Sequence, residues 1–395
     1  MEYAMDEHCA SIRLTNKLDA KNAHVVEAHI NEMLDQTQAT AIVLDMEGLE
    51  SISSAGLHVV MRLIKRLGRV SIVEANDEVY ATLEMTGITK RALVRRRPPE
   101  LSVEDCELVG RGVTAAVYRL DDDTIAKVSN ANIPRKTVED EYNRARAAFL
   151  IGVPTAVAYQ TVRVGDCFGT VFEMLEGQQL LDVMAQDKNH LVDWVTKYAN
   201  VVREIHAIEI NPLEFDDIHA RTIERISRLA GHIATQEEKA SFAQLYRMLP
   251  ERHTFLHGDC HPGNVIVRDG ELVLIDLADG GMGHPIIDLL SMCLSYKYMT
   301  MYGTEFYEEQ RQIIGVIRPF SYDEARLIWS TFLHVYFDTD DEQFLSKAEG
   351  QILAFGALKL ILGTLDAPDY LAEDTLQSLK RIVLDFAARL EPVCF

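Results

Sequence analysis

Asp259, Asn264 and Asp276 bracket a segment whose middle reads as a hairpin. Residues 265–267 and 272–275 are apolar runs on either side of Asp269–Gly270, a dipeptide suited to a type I′ turn. Pairing the two runs sets Asn264 and Asp276 side by side at the open end. An amide oxygen and a carboxylate converging there are hard oxygen donors, suited to Mg²⁺ holding the phosphates of a nucleotide. Asp259 lies one short loop upstream, where it can face the same site and accept a proton from a hydroxyl. The chemistry of such a set is metal-dependent phosphoryl transfer.

The run His257-Gly258-Asp259, the Asn five residues later and the strand ending Ile275-Asp276 resemble the catalytic segment of the aminoglycoside phosphotransferase and choline kinase-like family. The resemblance implies that Asp259 is the catalytic base, that Asn264 and Asp276 bind Mg²⁺, and that Asp288, in the Gly-x-Pro-x-x-Asp stretch from Gly283, buttresses the catalytic loop. His257 and His261 read as donors that orient this loop rather than as chemical participants. A zinc site from His257, Cys260 and His261 has spacing too tight for the usual structural patterns.

These residues need a lobe that presents phosphates to them. Residues 107–109 and 116–120 read as strands around the glycine-bearing turn GRGVTAAVY, followed by a third strand, TIAKV. Lys127 then falls at strand spacing and Glu141 on a helix, the order of glycine loop, lysine and glutamate of the kinase fold. In that frame Gly110 and Gly112 let the backbone approach the phosphates, Thr114 adds a hydroxyl, Val117 covers the adenine, and Glu141 positions Lys127 on the α and β phosphates. Glu139 is the rival partner for the lysine. The apolar strand from Gly169 to Gly177 fits the connection between lobes, its backbone at Glu173 to Leu175 facing the nucleotide base. From Leu180 onward the chain reads as helical, with Trp194, Val195, Tyr198, Val202 and Ile205 as a packing stripe and His206 as a structural residue at its end.

The first ninety residues differ. Short apolar strands at 42–44 and 70–73 alternate with helices, the first burying Ala23, Val26, Ile30, Met33 and Leu34, the second Leu57, Val60, Met61, Ile64 and Leu67. That is a small α/β sandwich. The run VLDMEGLESISSAGLHVVMRLIKRLGRVSIVEAN within it resembles a STAS domain of the anti-sigma-factor antagonist type, which implies a phosphorylatable hydroxyl at the start of the second helix and a protein partner or self-association. Here Ser53 stands for the family's Asp and Ala55 for its usual acceptor, leaving Ser54 as the nearest hydroxyl and possible phosphosite, with helix N-capping as its simpler role. Arg95, Arg96, Arg97, Pro98 and Pro99 break the composition. The expected organisation is a STAS-like domain at 1–94, a basic hinge at 95–100, a kinase-like N-lobe at 101–178 and a helical C-lobe at 179–395.

A net charge of −22 lies mostly after residue 100, which disfavours nucleic acid and would attract a cationic substrate. Six dispersed cysteines, with no Cys-x-x-Cys pair, favour reduced thiols in a cytoplasm. No apolar run is long enough to span a bilayer; that from Ile352 to Leu362 is short and interrupted by Lys359. The expectation is an α/β STAS-like domain fused to an α+β bilobal protein-kinase-like domain, a Mg-ATP-dependent phosphotransferase acting on the hydroxyl of a small molecule. The alternatives are a protein serine/threonine kinase in a STAS-based signalling complex and a nucleotide-sensing scaffold without turnover.

Overall fold

Alternating apolar residues generate the first sheet: Ala10, Ile12, Leu14 and Leu18 are buried along one strand, Ile42, Leu44 and Met46 along the next. The computed structural model describes residues 3–6, 9–112, 114–211, 215–312, 317–367, 371–389 and 392–395. These form two compact units, Met1–Leu101 and Ser102–Phe395.

The first unit contains β1 (Tyr3–Asp6), β2 (Cys9–Leu18), α1 (Ala23–Thr37), β3 (Ala41–Ile52), α2 (Ser54–Leu67), β4 (Val70–Ala75), α3 (Asp77–Met85) and β5 (Leu93–Arg96). The sheet order is β1-β2-β3-β4-β5, parallel except for the β1–β2 pair. Two expectations for α2 change. Its fully buried face is Gly56, Val59, Val60 and Leu63, while Leu57, Met61, Ile64 and Leu67 flank it. The cause is Gly56, where a Cβ would stand 2.7 Å from the Leu18 carbonyl oxygen, so the helix docks through its glycine and rotates its neighbours inward. Nor is Ser54 the cap. Ser53 is extended and occupies that position without a side-chain capping bond, and Ser54 is already helical and exposed.

The expected hinge begins later than its composition suggests. Arg95 and Arg96 end β5, Arg96 pairs with Asp77 at 2.7 Å, and the Arg97 amide donates to the Ala75 carbonyl at 2.8 Å. Basic residues here fasten an edge strand.

The second unit opens with β6 (Glu107–Arg111), β7 (Ala115–Arg119), β8 (Thr124–Ser129), α4 (Arg135–Leu150), β9 (Ala158–Val164) and β10 (Cys167–Glu173), an antiparallel sheet in the order β6-β7-β8-β10-β9. Below it come β11 (Gln178–Gln179), α5 (Leu180–Gln186), α6 (Leu191–His206), α7 (Ile218–Arg228), α8 (Gln236–Arg247), β12 (Thr254–Leu256), β13 (Val265–Arg268), β14 (Glu271–Leu274), β15 (Gly281–Gly283) and α9 (Ile286–Met292). The chain ends in α10 (Thr304–Gln310), α11 (Tyr322–Phe337), α12 (Glu342–Gly363) and α13 (Glu373–Arg389). Gln178 pairs with Val267 of β13, so the lower lobe claims a residue expected in the upper one. α12 is a buried helix of this lobe, and among the described residues no helix is long and apolar enough to cross a membrane.

Candidate active site

The cross-strand register builds the upper wall. Gly110 of β6 opposes Val117 of β7, Val117 opposes Lys127 of β8, and Lys127 opposes Thr170 of β10, so the first three side positions share one face of the sheet. Those three line a cleft of about 280 Å³ that also takes Glu141, Phe172, Leu175, Ile266 and Asp276 into its walls. A Cβ on Gly110 would meet Val117 at 3.7 Å and one on Gly112 the Ala115 carbonyl at 3.7 Å, ordinary contacts, so packing of the hairpin alone does not demand glycine at either position. Thr114 is exposed on the turn between these strands.

Lys127 is the hub. Its ammonium donates to Glu141 of α4 at 2.6 Å and to Asp276 at 2.8 Å. Glu139, the alternative partner, is held by Arg135 one turn earlier on the helix, at 2.6 Å. Burial weakens the lysine's charge, but the two carboxylates outweigh that and raise its pKa above the ordinary value. The Glu173 side chain is committed elsewhere, to Arg268 at 2.7 Å, and the Met174 amide donates to the Asp123 carbonyl, which fixes the segment between the lobes.

The lower wall is the β13–β14 hairpin. Asp269 and Gly270 both have positive φ, 52° and 78°, the signature of the type I′ turn. β14 stops at Leu274, one residue before the expected end, and the Ile275 amide then donates to the Asn264 carbonyl at 2.9 Å, holding the two ends of the hairpin together. Asp276 follows at φ 61°, a left-handed conformation that aspartate tolerates better than most residues.

Asp259 sits on the loop after β12, and the loop is held from beneath by Asp288. One oxygen of this buried carboxylate accepts from the Gly258 amide at 2.6 Å, the other from the His257 amide at 2.7 Å and from His206 Nε2 at 3.0 Å. Burial opposes its charge, yet the His206 hydrogen bond and the neighbouring histidines keep it below the usual carboxylate range. His206 is tied in turn to the Tyr336 hydroxyl at 2.8 Å. His257 donates from Nε2 to the Ile275 carbonyl at 2.9 Å and accepts the Asp259 amide at Nδ1, and burial pushes its pKa down, so it is a neutral strut. Gly258 is obligatory: φ is 86° and a Cβ would lie 2.2 Å from the Asp279 carbonyl oxygen.

The Asp259 carboxylate is unequally held. Oδ1 accepts from Ser291 at 2.7 Å and from Lys359 at 3.2 Å. Oδ2 has only longer neighbours, Asn264 Nδ2 at 3.4 Å and His261 Nε2 at 3.5 Å. Burial pushes this carboxyl up, but His261, Lys359 and Ser291 together pull it well below the ordinary range. Cys260 turns inward, its sulfur accepting from the Tyr198 hydroxyl at 3.2 Å. The donor set that remains, the Asn264 side-chain oxygen and the Asp276 carboxylate, 47 % exposed at the cleft, is all-oxygen and fits Mg²⁺.

Residues 105–328 match the phosphotransferase enzyme family. The chain belongs to that family. The phosphotransferase unit is preceded by a STAS domain, matched over residues 2–105. Among curated proteins, an anti-sigma F factor antagonist of Paenibacillus polymyxa is 28% identical over 83 residues, covering 20% of this chain and 71% of that protein. Similar solved structures include the ADP-bound aminoglycoside phosphotransferase APH(2'')-Ib, at 14% identity and TM-score 0.46 over 73% of this chain and 94% of that one. A choline/ethanolamine kinase family protein from Mesorhizobium loti is similar at 14% identity and TM-score 0.43, over 72% of this chain and 87% of that one.

Two residues of the candidate site escape a reading by motif. Ser291 and Lys359 reach Asp259 from α9 and α12, 32 and 100 residues further along the chain. For Lys359 a signal existed, since it is the charge that interrupts an apolar helical run.

Proposed function

We propose that the chain is a Mg-ATP-dependent kinase that moves a γ-phosphoryl group to a hydroxyl of a small molecule. The observation that carries this reading is the junction at Lys127, bonded at once to Glu141 on the upper lobe and to Asp276 on the lower, above a cleft whose apolar walls suit an adenine. The backbone at Glu173 and Leu175 would face the base, Gly110, Gly112 and Thr114 the phosphates, and Val117 the adenine ring. Asn264 and Asp276 would hold the metal, which supplies charge neutralisation on the phosphates. Asp259 orients the acceptor hydroxyl and takes its proton at Oδ2, the less encumbered oxygen. The acceptor oxygen forms a bond to the γ phosphorus, the bond from that phosphorus to the bridging oxygen breaks, and ADP leaves.

A small acceptor is favoured over a protein one by the eleven residues between Asp276 and Asp288, which are taken up by a turn, β15 and the start of α9 and leave no room for a peptide platform. The STAS domain is proposed to recruit a protein partner or a second copy of the chain, with the exposed Ser54 hydroxyl as its possible phosphosite.

The test is titration calorimetry with ATP, with and without Mg²⁺, followed by labelled-ATP incubation with fractionated metabolites. Metal-dependent binding and acceptor-dependent label transfer are expected. Binding indifferent to metal, or nucleotide binding with no transfer to any fraction, would overturn the kinase reading in favour of a nucleotide-sensing scaffold.

A further inference from the structure

A second cavity, of about 230 Å³, begins at the backbone of Gly258 and is lined by Lys359, Arg221 and Arg225 together with Asp279 and Asp366. Lys359 belongs to both places: it lines this cavity while its ammonium bonds Asp259 Oδ1, Ser291 Oγ at 2.8 Å and the Gly258 carbonyl at 3.4 Å. Any acceptor presenting a hydroxyl to Asp259 therefore meets a fixed cation.

The acids of the cavity do not cancel its cations evenly. Asp366 is committed to Arg225 at 2.6 Å. Arg221 donates to the Asp279 backbone carbonyl at 2.6 Å, which uses one of the five N–H groups a guanidinium carries. Its other N–H groups face the cavity, and burial lowers its pKa despite the nearby carboxylates of Asp279 and Asp216, so the guanidinium gains from an anionic partner that replaces lost solvent. A cation in the acceptor would stand beside like charges in a partly desolvated space. An anion would find the unspent N–H groups of the Arg221 fork, with the Lys359 charge beside it, although the three N–H groups of that lysine are already given to Asp259, Ser291 and Gly258.

We propose that the acceptor is an alcohol carrying a carboxylate or phosphate group, bound by the Arg221 guanidinium in this cavity while its hydroxyl faces Asp259. The proposal rests on the kinase reading and reverses the expectation, drawn from net charge alone, of a cationic substrate. The long-range field of the chain governs encounter; the groups within hydrogen-bond reach govern what stays bound.

The experiment uses matched alcohols on one frame: glycerol, glycerate, glycerol phosphate and aminopropanediol, and likewise glucose, gluconate, glucose 6-phosphate and glucosamine. Their affinities are measured by calorimetry for the full chain, both MgADP-saturated and nucleotide-free. In at least one series an anionic member is expected to bind roughly 10- to 100-fold more tightly than its neutral parent, as one charge-assisted hydrogen bond dictates, with the ammonium member weakest. The identity of the winner separates carboxylate from phosphate. Arg221→Gln should remove most of that preference while MgADP affinity stays within about twofold, and Arg221→Lys, which keeps the charge without the fork, should retain only part of it. No anionic member exceeding its neutral parent in either series, or an ammonium member binding best, overturns the proposal. Failure of the chain to bind MgADP at all would instead overturn the kinase reading.

Discussion

At Asp259 the two oxygens have different tasks. Ser291 and Lys359 fix Oδ1 and hold the charge on the carboxylate, and in the proposed reaction Oδ2 receives the acceptor proton. Replacing Asp259 by Asn is expected to lower kcat about 10²- to 10⁴-fold while changing MgATP affinity little, because the side chain serves the acceptor and not the phosphates. Equal loss in both quantities would move Asp259 out of that role. The depressed pKa has a sign that can be checked: protonation begins only below the usual carboxylate range, so Asp259 contributes no acid limb to the rate between about pH 5 and pH 8. Any limb in that window belongs to another group and must survive in the residual activity of Asp259→Asn; a limb that disappears with Asp259 would contradict the geometry. Asp276 needs a different measurement. Asp276→Ala is expected to weaken MgATP binding more than Asn264→Ala, because the carboxylate would carry the larger charge where a metal would be held. Asp259, Asn264 and Asp276 were legible in the sequence because one hairpin and one loop bring them together. Lys359 was not, because its proximity comes from packing of α12, which no local spacing encodes.

The catalytic loop shows what an element needs in order to hold such residues. β12 and β15 pair over three residues each, too little to fix the loop alone, and the rest comes from Asp288 and from the close passage of Gly258 beneath Asp279. Gly258→Ala introduces both a positive-φ penalty and a backbone overlap, and a destabilisation of several kcal/mol is expected, about 4 or more, read as a fall in the denaturant midpoint of the phosphotransferase unit. Asp288→Asn replaces an acceptor oxygen by an NH₂ that faces backbone N–H or His206, leaving a buried donor unsatisfied, and should cost about 1–3 kcal/mol. Because Asp288 is depressed in the folded state, its stabilisation is complete above its unfolded pKa, near 4, and is lost as pH falls through the lower folded value. The variant should therefore lose the wild-type dependence on that acid window; an unchanged acid-unfolding curve would deny Asp288 its buttressing role. Elements elsewhere were legible only where side chains outweighed context. The alternating strand residues of β2 and β3 declare their faces. The α2 face does not, because Gly56 decides it by what it lacks, and Arg95 and Arg96 look like linker while their backbone continues the sheet.

For the whole molecule, the organisation of the cores is the guide. One apolar cluster is built wholly from residues between Ala10 and Ile88, with Ala92 and Val94 packed against it, and the other begins at Tyr142 and runs to Phe395. Two cores of this kind make two cooperative units. The composition break at Arg95–Pro99 lies a few residues before that division, and the net charge sums over a surface and says nothing of the few groups around Asp259. The expected consequence is that a chain beginning at Ser102 folds and binds MgATP within about threefold of the full-length value, and that the full chain melts in two calorimetric transitions, of which only the one belonging to the phosphotransferase unit moves when MgATP is added. A single transition shifting as a whole, or loss of nucleotide binding in a well-folded fragment, would mean that the STAS domain is part of the catalytic apparatus instead of an independently stable module attached to it.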